Sequence, residues 1–183
     1  MFSDVARRIK KKNRLFFSKQ SPCLEPLYEL IKVSNRRAVV MWAFDCATFT
    51  LNEFESKYPQ ETRPRKCLEM SMAWAKGEIK MPTAKRFILE CHAVRKDLDD
   101  LEFSLLAQAI AHAASTVHAK THALGLAIYE LTALILKNGK KDYETIIREK
   151  LQVYQDRLLY WQVNINNIDF PLAKFIRKDE VND

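Results

Sequence analysis

The middle of the chain combines a dense apolar pattern with almost no charge. Residues 103–129 contain a single charged side chain, Lys120. Apolar residues recur there at helical spacing on two sides of the helix, which is typical of a helix buried in a protein interior. Ser115 and Thr116 interrupt the pattern and form the predicted turn. The sequence therefore predicts a buried hairpin of two helices over residues 101–138.

Helical spacing of apolar residues also marks most of the remaining chain. Strand-like alternation does not appear in the sequence. Serine, threonine, aspartate and asparagine favour helix starts, and glycine favours helix ends, so Gly77 is a predicted stop. The further predicted helices cover residues 3–17, 24–33, 36–58, 63–76, 81–98 and 143–161. Their predicted N-caps include Ser3 or Asp4, Asn35, Thr62 and Asp142, and Thr50 marks a candidate break in the third of them.

The predicted fold class is all-α, a single-domain multi-helix bundle around a buried central helical hairpin. A chain of 183 residues is long enough to bury one sizeable core. The predicted organisation has three parts. These are a basic N-terminal arm or helix over residues 1–20, an all-helical domain over 21–177 and a frayed C-terminus over 178–183.

The positive charge of the chain is concentrated at its N-terminus. Residues 1–20 hold seven basic side chains and one acidic side chain, which accounts for most of the net charge of +7. Two interpretations of this segment stay open. It binds nucleic acid or an anionic membrane surface, as basic amphipathic segments do, or it packs on the bundle through Phe2, Phe16 and Phe17.

Glycine and cysteine usage exclude several classes of site. With three glycines, the chain has no glycine-rich phosphate loop. The four cysteines occur singly, more than 20 residues apart, whereas zinc ribbons and disulfide scaffolds cluster them. We therefore expect buried free thiols and a reducing compartment. The cysteines are Cys23, Cys46, Cys67 and Cys91.

Export and membrane insertion are not predicted. The basic N-terminus lacks the uninterrupted apolar core of a secretory signal. The central stretch is long enough to cross a bilayer, but it carries His112, His118, Lys120 and His122 near its middle, and each is costly in hydrocarbon. The sequence predicts a cytoplasmic protein without a membrane span.

The histidines of the central stretch suggest a metal site. His118 and His122 lie one turn apart, so they would share a face of an unbroken helix and could hold one ion. The competing interpretation is structural, because buried histidines usually form hydrogen bonds to neighbours such as Gln108, Thr116 or Thr121. We favour the structural interpretation and predict no metal and no cofactor.

Other catalytic combinations are incomplete. Ser115 and a nearby histidine have the residue types of a nucleophile and its base, but the hairpin offers no acid to orient the imidazole. No catalytic residue is predicted.

Arg63 and Arg65 stand in the first turn of a predicted helix, against its dipole, so an acidic group should face them. That group could be Glu61, Glu69 or Glu78 within the fold, or the carboxylates or phosphates of a partner.

A set of motifs in fixed order resembles one protein family. It spans residues 36–137 and includes Trp42 with Asp45-Cys46-Ala47, Tyr58-Pro59, Arg63-Pro64-Arg65-Lys66-Cys67-Leu68-Glu69, Trp74-Ala75-Lys76-Gly77-Glu78-Ile79, Cys91-His92-Ala93, Ala111-His112-Ala113, Thr116-Val117-His118, Thr121-His122-Ala123-Leu124-Gly125 and Tyr129. These motifs resemble the immunity proteins of the five-like class from bacterial polymorphic toxin systems. The basic arm lies outside the similarity.

The resemblance implies a cytoplasmic, non-enzymatic helical protein that binds and neutralises a cognate toxin domain. The alternative function is a metal-dependent or nucleic-acid-acting helical enzyme that uses His112, His118 and His122. The oligomeric state stays open. The candidate binding residues are Arg63, Arg65, Trp74, Glu78, His92, His112, Thr116, His118 and His122.

Overall fold

The computed structural model describes residues 1–177, and this part of the chain is helical without strands. The predicted all-α class is confirmed. The predicted frayed C-terminus, 178–183, lies outside the described residues. The helices are α1 (Ser3–Lys10), α2 (Glu25–Val33), α3 (Arg36–Lys57), α4 (Arg63–Lys76), α5 (Met81–Asp97), α6 (Leu101–Ser115), α7 (Ala123–Lys137), α8 (Tyr143–Asn164) and α9 (Lys174–Arg177).

The hairpin of α6 and α7 forms the centre of the bundle, as the apolar pattern predicts. Helices α3, α4 and α5 pack against α6, while α2, α3 and α8 contact α7. Most of the side chains of both central helices are buried, and Leu105, Ile110 and Leu126 are completely enclosed. Burial of such apolar surface supplies most of the stability of a helical bundle. The remaining helices therefore form a shell around this pair.

The turn of the hairpin is less regular than predicted. Helix α6 ends at Ser115, and a 3-10 turn at Lys120–His122 precedes α7. Ala119, between them, has an extended backbone with φ of −151° and ψ of 128°. An extended residue ends the helical path, so the side chains before and after it no longer follow helical spacing. This geometry decides where the histidines of the turn lie.

The N-terminal segment is packed on the bundle. Phe2, Phe16 and Phe17 are all buried, which supports the second of the two interpretations of this segment. The backbone N–H of Phe16 donates to the Thr132 hydroxyl of α7 over 3.3 Å. Helix α1 is shorter than predicted because Lys12 adopts a left-handed φ of 53°. The chain must turn there to bring Phe16 and Phe17 onto the bundle.

Some predicted helix ends are right and others are wrong. The Asn35 side chain caps α3 by accepting from the Ala38 N–H over 2.7 Å, and Gly77 ends α4 with a left-handed φ of 83°. Thr62 and Asp142 occupy cap positions without making side-chain cap bonds. Neither Ser3 nor Asp4 caps α1, because Phe2 occupies the cap position. The Asp4 carboxylate accepts a hydrogen bond from the Ser21 hydroxyl.

Helix α3 is continuous through its candidate break. The Thr50 hydroxyl donates to the carbonyl of Cys46 one turn earlier, over 3.1 Å. This bond satisfies a polar side chain that is buried in the core, so threonine is compatible with the helix interior there. A helix of 22 residues results, and it runs from the Asn35 cap to Lys57.

A buried polar cluster connects α3, α7 and α8. The Tyr154 hydroxyl and the Lys150 ammonium each lie 2.6 Å from a carboxylate oxygen of Glu130. The Trp42 indole donates to the backbone carbonyl of Tyr154 over 2.9 Å. Buried charges persist in proteins only when they are paired in this way. The cluster therefore fixes the order and register of the three helices.

The cysteines confirm the prediction of free thiols. All four are free and buried. Burial raises the pKa of the Cys23 thiol to about 11, with a further contribution from the Asp4 carboxylate. A thiol whose pKa is raised carries little thiolate, the reactive form. The role of the four cysteines in the fold is packing.

None of the helices within residues 1–177 has both the length and the apolar character needed to cross a membrane.

Candidate binding cleft

A cleft of about 340 Å³ opens between α4, α5 and the turn that joins α6 to α7. Its walls are mainly apolar, and its polar groups are histidines, a lysine and a serine. We call it the histidine cleft. Its lining residues are Trp74, Met81, Lys85, Ile88, Leu89, His92, Ser115, His118 and His122.

Helix ends bring these walls together. Trp74 lies in the last turn of α4, where Gly77 reverses the chain, so the following helix α5 packs beside it. Met81, Lys85 and Leu89 follow at intervals of four on α5, which places them on one face of that helix. Met81 is 42% exposed and Leu89 is 56% exposed, so this wall of the cleft faces solvent.

Four histidine rings form a continuous cluster at the other wall. The ring centroids of His92 and His112 are 5.3 Å apart in an edge-to-face arrangement. His122 follows at 6.2 Å from His112, and His118 at 6.4 Å from His122. The His112 ring also stacks on Tyr129 of α7, with centroids 4.9 Å apart. The cluster therefore runs from the core to the exposed side chain of His118.

Gln108 holds His92 of α5 and not one of the hairpin histidines for which it was expected. The Nδ1 of His92 lies 2.7 Å from the Gln108 side-chain oxygen, while the Gln108 amide nitrogen donates to the His92 carbonyl over 3.0 Å. Because that donation fixes the orientation of the amide, the Gln108 oxygen must be the acceptor and His92 Nδ1 the donor. His112 is held by rings instead. The Thr116 hydroxyl donates to the backbone carbonyl of His112 and not to its imidazole.

The electrostatic environment of the cluster favours uncharged imidazoles. Burial lowers the pKa of His112 to about 4, and His92, His122 and Lys19 lower it further. Burial is also the largest cause of the lowered pKa of His122, followed by His118, Lys19 and His92. Every group named here is a lysine or another imidazole. Of these groups Lys19 carries a standing positive charge at neutral pH, and its potential would attract an anion to this wall.

The shared helix face on which the metal hypothesis depends is not present in residues 1–177. His118 and His122 do not share a helix face, because α6 ends before them and Ala119 is extended. Within residues 1–177 no three histidine, cysteine, aspartate or glutamate side chains are grouped so that they could hold a metal ion. A protein zinc site normally uses at least three such ligands. The structural interpretation, which treats these histidines as buried, is wrong for His118, because that side chain is exposed.

The serine of the cleft already has a hydrogen-bond partner. The Ser115 hydroxyl donates to the Ala111 carbonyl one helical turn earlier, over 2.8 Å. A nucleophilic serine must instead direct its proton to a base, which is itself oriented by an acid. Ser115 therefore contributes a polar wall to the cleft in this arrangement.

The two arginines are paired within the fold. Arg63 donates to Glu61 over 2.8 and 2.5 Å and to Asp97 over 2.7 Å. Arg65 forms two bonds of 2.6 Å to Glu55 of α3. These bonds lower the pKa of Glu61 and Glu55.

The remaining acidic candidates take lesser parts in this region. Glu69 contacts Arg65 more loosely, at 3.8 Å. Glu78 is exposed and lies 3.9 Å from Lys76. The intramolecular acids expected to face the two arginines are therefore present, although Glu55 and Asp97 were not among those named from the sequence.

The structure brings together about half of the candidate binding residues. Trp74, His92, His118 and His122 line the cleft, and His112 lies behind them. Thr116 is buried in the turn, while Arg63, Arg65 and Glu78 do not line the cleft. Sequence reasoning missed the wall of α5. The repeat of residues 81, 85 and 89 at intervals of four, outside the apolar face of that helix, could have revealed it.

The fold and the cleft define an all-helical protein built on a buried hairpin, with a histidine-rich opening at the turn of that hairpin. The family model described as "Imm-5 like putative immunity protein" matches residues 29–157, and the chain belongs to this family. The match extends from α2 into α8 and confirms the resemblance seen in the motifs. No curated protein and no solved structure matches the chain.

Proposed function

We propose that this protein is an immunity protein that binds and neutralises a cognate toxin domain in the cytoplasm. Membership of the immunity-protein family is the observation that carries the proposal. The protein acts by occupying the toxin and not by a reaction of its own. The hydrogen bond that engages Ser115 agrees with this mode of action.

We place the toxin contact at the histidine cleft and the adjoining outer face of α5. A shallow groove of about 460 Å³ continues from the cleft along this helix and shares Lys85 and Leu89 with it. Apolar anchors within a polar rim are typical of binding surfaces. Leu89 and Met81 provide exposed apolar area, and Trp74 forms the buried floor.

The enzymatic alternative has no observation in its favour. His112, His118 and His122 lack the grouping that a metal would require among the described residues. Most basic side chains of residues 1–20 are exposed. Binding of this segment to nucleic acid or to an anionic surface therefore stays a prediction. Deletion of this segment would remove Phe2, Phe16 and Phe17 from the core, so charge substitutions of its lysines are the better test.

The test is a binding and inhibition assay with the toxin domain encoded beside the gene for this chain. We expect a stable complex in size-exclusion chromatography and loss of toxin activity at a one-to-one ratio. Leu89→Asp should weaken the complex at least about tenfold. Leu159→Asp on α8 is the matched control, since Leu159 is an exposed leucine, at 46%, outside the cleft. Absence of a complex with the unaltered chain would refute the proposal.

A further inference from the structure

The lysine and the histidines on the walls of the histidine cleft share one chemical character. Lys85 is an exposed ammonium that makes no hydrogen bond or ion pair within residues 1–177. His118 and His122 are imidazoles at the opposite wall, where the neighbouring groups named above are lysine and histidine. The lining includes no aspartate or glutamate. The imidazoles and the lysine of the cleft can thus donate hydrogen bonds to an anion, and the lysine also attracts it by its charge. No carboxylate of the lining would repel the anion.

The rest of the lining is apolar and limits what such an anion can be. Leu89 and Met81 provide exposed apolar surface beside the donors, and Trp74 and Ile88 lie buried beneath them. A strongly hydrated dianion would lose its water there without the several backbone or guanidinium donors that phosphate sites supply. A monoanion on an apolar body loses less. The volume of about 340 Å³ lies at the lower end for ligand sites, so one or two side chains would fill it.

We propose that the histidine cleft binds a carboxylate joined to an apolar body, as in an aspartate or glutamate beside an aromatic residue in a segment of the toxin. The carboxylate would lie between Lys85 and the imidazoles of His118 and His122, and the apolar body would contact Trp74, Ile88 and Leu89. That the bound segment belongs to a toxin rests on the proposed function. That the cleft prefers a carboxylate on an apolar body rests on the lining of the cleft alone.

The proposal makes binding depend on pH. An anion beside His122 favours its protonated form and opposes the lowering of its pKa by burial and by neighbouring cations. Binding should therefore strengthen as pH falls from about 7.5 to about 5.5. The titratable or charged groups around this imidazole are His92 and Lys85 of α5, His112 of α6, Lys19 of the N-terminal segment and His118 of the turn. Tyr129 of α7 stacks on His112 behind it.

Small probes test this chemistry on the chain alone. The probes are 3-phenylpropionate, its uncharged amide and phenyl phosphate, followed by NMR signals of histidine rings and of leucine and methionine methyl groups. The carboxylate should give saturable shifts at His118, His122 and Leu89, with a Kd on the order of 1 mM for so small a ligand. The amide should bind at least about tenfold more weakly.

Matched variants identify the groups that bind the carboxylate. Lys85→Met should weaken 3-phenylpropionate at least about fivefold, whereas Lys66→Met, an exposed lysine of α4 that does not line the cleft, should not change its affinity. His122→Gln should reduce the pH dependence of binding. Thermal unfolding of each variant confirms that the fold is intact.

Several results would overturn the inference. These are equal affinity for the acid and its amide, tighter binding of phenyl phosphate than of 3-phenylpropionate, shifts confined to residues outside the cleft, or no saturation up to about 10 mM. The probes do not involve the toxin. A chain that binds 3-phenylpropionate but no toxin would refute the proposed function alone, and the reverse outcome would refute only this inference.

Discussion

The His112 imidazole lies directly against the backbone of Gly125. A Cβ atom built on Gly125 would stand 2.5 Å from Cγ of His112 and 3.0 Å from its Cβ, well inside van der Waals contact. Gly125 has an ordinary helical backbone, so its glycine is required by the neighbouring ring and not by a left-handed φ. The close approach of α6 and α7 at this point places His112 between Tyr129 and the other histidines.

Replacement of Gly125 by alanine should therefore destabilise the protein. Alanine favours a helix by up to about 1 kcal/mol over glycine, but the added methyl group must displace the His112 ring. Overpacking of this kind costs about 1–3 kcal/mol, so we expect a net loss in the free energy of unfolding. Chemical denaturation of Gly125→Ala measures it, and the NMR signals of His112 should shift.

Two comparisons identify the cause of that loss. A side chain at Gly139 would meet no atom within 4 Å, and asparagine tolerates its left-handed φ of 61°, so Gly139→Asn should change stability little. The penalty of Gly125→Ala should also shrink when it is measured in a His112→Ala background. An equal penalty in both backgrounds would show that the ring is not responsible.

The stability of the protein should fall as the solution becomes acidic. The pKa of His112 is about 4 in the folded protein and near 6.5 when the chain is unfolded. Between these values the unfolded chain binds more protons, so this contribution is fully present above pH 6.5 and is lost as pH falls toward 4. Its size is roughly 3 kcal/mol. Denaturant unfolding at several pH values measures it.

The variant His112→Phe separates this effect from the titration of the carboxylates. Phenylalanine keeps a flat ring beside Tyr129 but carries no ionisable group. The slope of stability against pH between 6.5 and 4 should become smaller by one proton's contribution. An unchanged slope in the variant would mean that His112 does not produce the acid sensitivity.

Removal of Lys150 should destabilise the junction of α7 and α8. Its ammonium lies 2.6 Å from the Glu130 carboxylate, whose side chain is only 8% exposed. A buried charge that loses its partner typically costs about 3–5 kcal/mol, and the partial exposure of Lys150 lowers our expectation for Lys150→Met to about 2–4 kcal/mol. Equilibrium unfolding in denaturant gives the value.

The double variant Glu130→Gln with Lys150→Met provides the control for that measurement. Without the carboxylate no unpaired charge remains, and the glutamine can still accept from the Tyr154 hydroxyl, which lies 2.6 Å from Glu130. The double variant should therefore be more stable than Lys150→Met alone. If it is less stable, repulsion or packing elsewhere must explain the effect of the lysine.

The sequence predicts the helices of this fold well because their apolar spacing is strong. The seam of α8 at residues 147, 151, 154 and 158 is buried as the pattern predicts, and so are the faces of α6 and α7. Helix ends are less predictable. Asp4 bonds to Ser21 across 17 residues, and a contact of this kind depends on the folded chain.

The histidine cleft could be predicted only in part. The spacing of His118 and His122 suggested one helix face, but the extended backbone of Ala119 separates them. The cluster is formed by histidines from three elements. The periodicity of the sequence does not specify how these elements pack together. Lys85 and Leu89 belong to no recognisable sequence motif. Their position beside the turn follows from the reversal of the chain at Gly77.

Hydrogen exchange of the chain, free and in complex with its toxin domain, tests the proposed binding surface most directly. We predict that the toxin protects amides of residues 81–93 in α5 and of 115–122 in the turn. Helix α8, which provides Leu159 and does not line the cleft, should keep its rates. Protection confined to α8 and the outer face of α3, with unchanged exchange in α5 and the turn, would contradict it.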